Sequence, residues 1–302
     1  MTKSQVMTVL GPVDAESLGR VMPHEHVLCK ELGMGEGPLD DVAGAIADLI
    51  AFKEAGGGAI VDPTTADLGR NPRELRHASE ASGVHIVMGA GWYRESFYTE
   101  DLNKASVDEL AERLITEIEM GQDGVRPGVI GEIGADHDYL SALEERALRA
   151  CARAHKHTGL AIVLHAVMSE VGAWQLDVLE DEGVNLGRVG VGHCDLYPDV
   201  DYHARLAERG AFVMYDTQSL ASPELDAARI ENTLEMVRRG YADRLLLSHD
   251  VCTPSGRAAK GGPGYAKTLT SVLPDLHNRG LSSDTTTRIV TRNPWRLLTP
   301  SA

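Results

Sequence analysis

Eight times along the chain, a short and nearly continuous apolar run ends in polar residues, passes into an amphipathic segment and turns at glycine or asparagine. The runs are 21–27, 58–64, 85–91, 128–134, 161–165, 189–193, 211–216 and 245–250. Parallel strands covered on both faces read this way, because neither set of side chains meets water. Between them, segments near 40–55, 71–82, 106–121, 141–158, 170–182, 201–209, 225–239 and 265–279 read as helices. Several carry apolar residues at helical spacing, as in Leu110, Leu114 and Ile118. With no linker, low-complexity stretch or change of composition, these units predict one α/β domain over residues 1–302, a single (β/α)8 TIM barrel. An open doubly wound sheet is the alternative, but the Gly-x-Gly-x-x-Gly turn that usually marks it is absent from the first strand-to-helix turn. Runs 5–10 and 18–22, around Gly11-Pro12, predict a short N-terminal β-hairpin. Residues 284–298, with Trp295, Leu297 and Leu298 after Asn293-Pro294, predict a C-terminal helix that closes the barrel.

Charge narrows the partners. Asp and Glu number 45 against 29 Lys and Arg, a formal net charge of −16, which disfavours nucleic acid or an anionic membrane, since both need a basic face. No run approaches the roughly 18 apolar residues of a membrane helix, and the N-terminal residues lack the apolar core of a secretory signal. A cytoplasmic protein with a small-molecule substrate is the expectation. The four cysteines, Cys29, Cys151, Cys194 and Cys252, form no Cys-x-x-Cys pair and suit buried, reduced thiols.

In such a barrel the site lies at the C-terminal ends of the strands. His24 and His26 end the first run, one residue apart, so that the alternation of an extended chain puts both rings on one face. Glu132 ends the fourth, His165 the fifth, His193 the sixth and Asp250 the eighth. Each singly has a structural explanation, as a hydrogen-bonded core histidine or a helix cap. Six ionisable residues at one end of a barrel point instead to metal, because buried charges are rare unless paired or ligating. Four imidazoles and two carboxylates suit two divalent ions, Zn²⁺ first, with Mn²⁺ or Co²⁺ as alternatives. Glu132 is the one carboxylate placed to bridge them. Glu25 and His249 alternate away from the ligands and are read as structural.

The series His24-x-His26, Glu132, His165, His193 and Asp250, with Thr8-Val-Leu-Gly-Pro, Gly192-His-Cys-Asp, Ser248-His-Asp250 and Asn293-Pro294, resembles the phosphotriesterase family of the amidohydrolase superfamily over nearly the whole chain. The resemblance implies that His24, His26 and Asp250 hold the more buried ion, and His165 and His193 the more exposed one. Where that family's best-known members bridge the ions with a carbamylated lysine, this sequence has Gly131-Glu132-Ile-Gly. It is thus similar to the phosphotriesterase homology branch, in which a glutamate bridges. Gly192-His-Cys-Asp-Leu196, Asp216-Thr217 and Gly262-Pro-Gly-Tyr265 fit that branch too. A homodimer is the assembly the resemblance suggests.

These residues predict a binuclear metal-dependent hydrolase in which a metal-bridging hydroxide attacks and Asp250 takes the proton. Tyr93 stands where lactonase relatives place a tyrosine, which favours a lactone or carboxylic ester. Thr217 stands where those relatives carry a basic residue, a departure from their pattern. Arg94, Arg257 and Lys260 are candidates to hold an anionic group of the substrate. An amidase on N-acyl amino-acid-like substrates, a weak phosphotriesterase or phosphoesterase, and a non-catalytic metal-binding protein are the alternatives.

Overall fold

The computed structural model describes residues 5–299 apart from 31, 137 and 221. Ten strands are described: β1 Gln5–Thr8, β2 Gly11–Asp14, β3 Arg20–Met22, β4 Gly57–Asp62, β5 His85–Ala90, β6 Val129–Gly134, β7 Ile162–His165, β8 Val189–Val191, β9 Phe212–Tyr215 and β10 Leu245–Leu247. Strands β3 to β10 form one parallel sheet whose neighbours follow chain order, and it curls into a nearly closed barrel. The helices are α1 Val42–Glu54, α2 Pro72–Ser82, α3 Glu100–Lys104, α4 Val107–Met120, α5 Ala142–Thr158, α6 Val171–Asp181, α7 Val200–Glu208, α8 Pro223–Arg238, α9 Leu273–Asn278, α10 Ser283–Thr287 and α11 Asn293–Leu298. The TIM barrel read from the eight runs is the fold.

Alternation along the strands divides the core. Ala59, Val61, Val87, Val129, Val163, Phe212, Met214 and Leu246 point inward, where they meet Val6, Leu18, Leu297 and Leu298. Ile60, Ile86, Met88, Ile130, Leu164, Val191 and Val213 point outward into the helix layer. Fully burying one such side chain stabilises by roughly 1.5–3 kcal/mol. The apolar interior fills the bottom of the barrel, with the hairpin and α11 as its plug, and leaves the upper end to polar groups.

Four boundaries differ from expectation. The hairpin pairs β1 with β2, Gln5 opposite Asp14, and residues 20–22 are the first barrel strand rather than a hairpin arm. That strand stops at Met22, so His24 and His26 lie in an irregular continuation. Segment 265–279 is divided between a wide π-turn over Thr268–Val272 and α9, and the closing segment likewise into α10, a π-turn over Arg288–Arg292 and α11. Where the pattern read a helix at 106–121, the capping box of Ser106 and Glu109 fixes the start of α4. The short α3 carries too few residues to show a period.

Candidate metal centre

Beyond β3 the chain stays pinned by its neighbours. Glu25 N–H donates to Val61 O at 2.9 Å and Val27 N–H to Asp62 Oδ2 at 2.8 Å. His24 and His26 therefore face the barrel axis and are fully buried. Gly131 brings the next residue in. Its φ is +139°, and a Cβ there would meet Val163 O at 2.5 Å, so only glycine lets β6 deliver Glu132 to the axis. His193 follows β8 with φ +58°, and Asp250 follows β10 with φ +52°. Both hold a left-handed backbone that residues with a Cβ seldom adopt.

Glu132 sits at the centre. Its Oε1 lies 2.5 Å from His165 Nδ1 and 3.0 Å from His193 Nε2. Its Oε2 faces the other way, 3.5 Å from His24 Nε2 and 3.8 Å from His26 Nε2. Asp250 Oδ1 is 3.3 Å from His26 Nε2 and 3.9 Å from His24 Nε2. Ligand atoms of His24, His26 and Glu132 lie within 4.8 Å of one another, as do those of Glu132, His165 and His193. All six expected ligands converge here.

The hydrogen bonds around these rings show that the donor set fits a metal ion. Asp216 Oδ2 is 2.8 Å from His24 Nδ1, and its Oδ1 accepts the His193 N–H at 2.7 Å and lies 3.0 Å from His193 Nδ1. Thr64 Oγ1 is 2.7 Å from His26 Nδ1. With Nδ1 so engaged, each ring turns an Nε2 lone pair inward, the arrangement in which an outer partner fixes the tautomer of a metal ligand. His24 Nε2 is buried with no hydrogen-bond partner at all. An inward lone pair facing carboxylates suits a cation and little else.

Charge follows the same geometry. Burial works against the protonated forms of His24 and His193, yet Glu132 and Asp216 beside the first, and Asp216 beside the second, raise both well above the usual histidine range. Burial also opposes ionisation of Glu132, and His165 and His24 overcome it and hold the carboxyl well below its ordinary value. The setting favours the carboxylate form of Glu132 and the protonated forms of His24 and His193, and a cation bound among them would take the place of those protons.

Above this cluster is a cavity of about 350 Å³. His26, Glu132, His165, His193 and Asp250 form its polar floor, and Leu32, Val167, Leu196 and Leu220 are among its apolar walls. Tyr93 lines it with its hydroxyl 3.2 Å from His165 Nε2. Arg94 lines it too, stacked over Tyr93 and Phe97, with Asp136 3.8 Å from one guanidinium nitrogen. Two expected substrate contacts lie elsewhere. Arg257 is buried beneath the loop after β10, where its guanidinium bonds Val27 O and the Tyr265 hydroxyl and lies 3.7 Å from Asp48. A buried guanidinium needs partners, and its two terminal nitrogens find them inside the protein. Lys260 is exposed on that loop and is not among the lining residues.

Asp216, outside the set of ligands expected from the sequence, joins His24 and His193 through one carboxylate. The signal was available, since Asp216 also closes an apolar run at the same end of the barrel. Asp195 supports it by accepting from Asp216 N–H and Thr217 N–H, with Arg229 Nε 2.8 Å away. Thr217, at the position noted as a departure, donates its hydroxyl to Asp195 at 2.6 Å.

A model of the Phosphotriesterase family matches residues 4–298. The chain belongs to the phosphotriesterase family. It is similar to the phosphotriesterase homology protein of Escherichia coli K12, 33% identical over 281 residues covering 91% of this chain and 96% of that one. It is 32% identical to the N-acetyltaurine hydrolase of Rattus norvegicus, with 98% of each chain covered. Among solved structures, a lactonase from Listeria monocytogenes has a TM-score of 0.87 at 26% identity, covering 99% of this chain and all of that one. This phosphotriesterase-family chain is a metal-binding hydrolase, with the resemblance to the homology branch upheld. Among its described residues no helix is long and apolar enough to cross a membrane.

Proposed function

We propose that the chain hydrolyses a lactone or carboxylic ester in the cavity above Glu132, with two divalent ions, zinc first, held by His24, His26 and Asp250 on one side and His165 and His193 on the other. The observation that carries this reading is the orientation of Glu132, whose two oxygens face two separate histidine pairs. Bound there, such ions supply Lewis acidity toward a carbonyl oxygen and acidify water. Asp250 borders both the donor cluster and the cavity, and it accepts the proton as water adds to the substrate carbonyl. Tyr93 is buried, which pushes its hydroxyl well above the usual phenol range and keeps the proton available for a hydrogen bond to substrate oxygen. The apolar walls keep bulk water from the acyl part.

Arg94 favours a second reading. It brings a guanidinium to the cavity wall, suited to an anionic group on the amine side of an N-acyl amide. The 32% identity to the N-acetyltaurine hydrolase of Rattus norvegicus supports it. The test is a panel of lactones, carboxylic esters, N-acyl amides and phosphotriesters, assayed on protein loaded with zinc, manganese or cobalt and with metal content measured in parallel. The lead reading expects lactones or esters to have the highest kcat/KM and Asp250→Asn to lose most of it. Amides ahead of both would replace it with the second reading, and unchanged turnover in Asp250→Asn would remove Asp250 as base.

A further inference from the structure

The barrel has a seam. Its ladder runs from β10 through to β3 without a described strand pairing between those two ends. What joins them is a set of bonds between residues 24–25 and 248–251. Asp250 N–H donates to His24 O at 3.1 Å, and His24 N–H donates to Ser248 Oγ at 3.1 Å. Ser248 Oγ also lies 2.8 Å from His24 O, and the other bonds go to one side chain. Glu25 Oε1 accepts from the His249 N–H at 2.9 Å, lies 2.6 Å from His249 Nδ1 and lies 2.7 Å from Ser248 Oγ. Glu25 Oε2 accepts from the Val251 N–H at 3.2 Å.

One carboxylate thus gathers the backbone N–H groups on both sides of Asp250. Asp250 is the residue held at φ +52°, a conformation a side chain with a Cβ leaves unless its surroundings fix it. His249 completes the brace. Its Nε2 accepts from the Thr268 N–H at 2.9 Å, which leaves Nδ1–H to donate to Glu25. Glu25 and His249 are both fully buried, so water cannot substitute for either partner.

We infer that Glu25 is a positioning residue that sets the backbone of Asp250 and so aims its carboxylate at the donor cluster. The inference rests on the reading of Asp250 as metal ligand and base. Glu25→Gln keeps the shape but offers one acceptor oxygen, so its amide NH₂ opposes either the His249 or the Val251 N–H. The experiment compares Glu25→Gln, Asp250→Asn and the double variant with the wild-type chain. It reads thermal unfolding, the visible spectrum and affinity on cobalt titration, and kcat and KM on a substrate from the panel.

The expected Glu25→Gln protein is folded, has an altered cobalt spectrum, and loses about 10–100-fold in cobalt affinity or in kcat, the range typical of outer partners of metal ligands. KM stays within about threefold, and the double variant is no worse than Asp250→Asn. A folded Glu25→Gln protein with native spectrum, affinity and kcat overturns the inference, as do fully additive losses in the double variant. If Glu25→Gln does not fold, His249→Gln decides. It keeps the backbone bonds and an amide oxygen that can accept from Thr268 N–H, but has no donor at the Nδ1 position that faces Glu25; a shifted cobalt spectrum supports the brace whereas a native one overturns it. An unchanged kcat in Asp250→Asn would overturn the reading of Asp250 itself, whereas an inactive Asp250→Asn beside a native Glu25→Gln overturns the brace alone.

Discussion

Replacing Asp216 with asparagine tests how far the outer hydrogen bonds govern metal binding. Asp216 receives three groups: His193 N–H at 2.7 Å and His193 Nδ1 at 3.0 Å on one oxygen, and His24 Nδ1 at 2.8 Å on the other. Asparagine has one oxygen. Placed toward His193 it keeps both bonds on that side and turns its NH₂ toward His24 Nδ1. The His24 ring must then accept at Nδ1 and carry its proton on Nε2, the atom that faces Glu132. A protonated nitrogen has no lone pair for a cation. One hydrogen bond to a charged partner is lost, about 1.5–3 kcal/mol, which corresponds to roughly 10- to 150-fold in affinity. The assay titrates metal-free protein with zinc against a competing chelator, with thermal unfolding as the check on folding. A folded variant that binds zinc as tightly as the wild type would refute the tautomer argument.

Three further outcomes are expected. Glu132→Gln retains the fold but binds less metal, and two full equivalents measured in the purified variant would remove Glu132 from the bridging position. Arg94→Glu raises KM for anionic substrates by about tenfold or more and leaves neutral lactones within about threefold, as one charge contact at a partly exposed site implies; equal effects on both would take Arg94 out of recognition. His203 gives a pH dependence away from the metal ligands. Its Nε2 is 2.8 Å from Cys194 O and its Nδ1 2.8 Å from the Tyr215 hydroxyl, and burial holds its pKa down to about 4. A free histidine titrates near 6.5, so below that pH the unfolded chain binds a proton that the folded chain refuses. Stability therefore falls as pH drops from about 6.5 to about 4, by about 3 kcal/mol for this group. Urea unfolding across that range should show the slope in the wild type and a flatter line in His203→Gln; parallel lines would discount it.

The barrel was legible because its strands are buried on both faces, and burial writes itself into sequence as apolar runs. The cluster of candidate ligands was legible for a related reason. Glu132, His165, His193 and Asp250 interrupt or end those runs, and a charge at such a place calls for a partner. Arg257 was not legible, since a basic residue in a polar loop looks the same whether it faces substrate or folds back on Val27 and Tyr265. That choice depends on where Asp48, some two hundred residues earlier in the chain, presents its carboxylate. Glu25 and His249 show the opposite limit. Alternation turned them away from the ligands correctly, but only the fold reveals that they meet each other across the seam.

That seam also ties the site to chain completion. The bonds between residues 24–25 and 248–251 span more than two hundred positions, and the Trp295 indole N–H reaches back to Gly19 O nearby. A chain still emerging from the ribosome has His24 and His26 early, yet it has no Asp250 to set beside them until the last strand is made. With Asp250 as a ligand, as proposed above, tight metal capture would wait for the finished barrel, and bound metal would report that the two sides of the seam have met. A C-terminal truncation that spares every ligand but removes α11 would put that coupling to use, since weakened metal retention in such a chain would report an open seam.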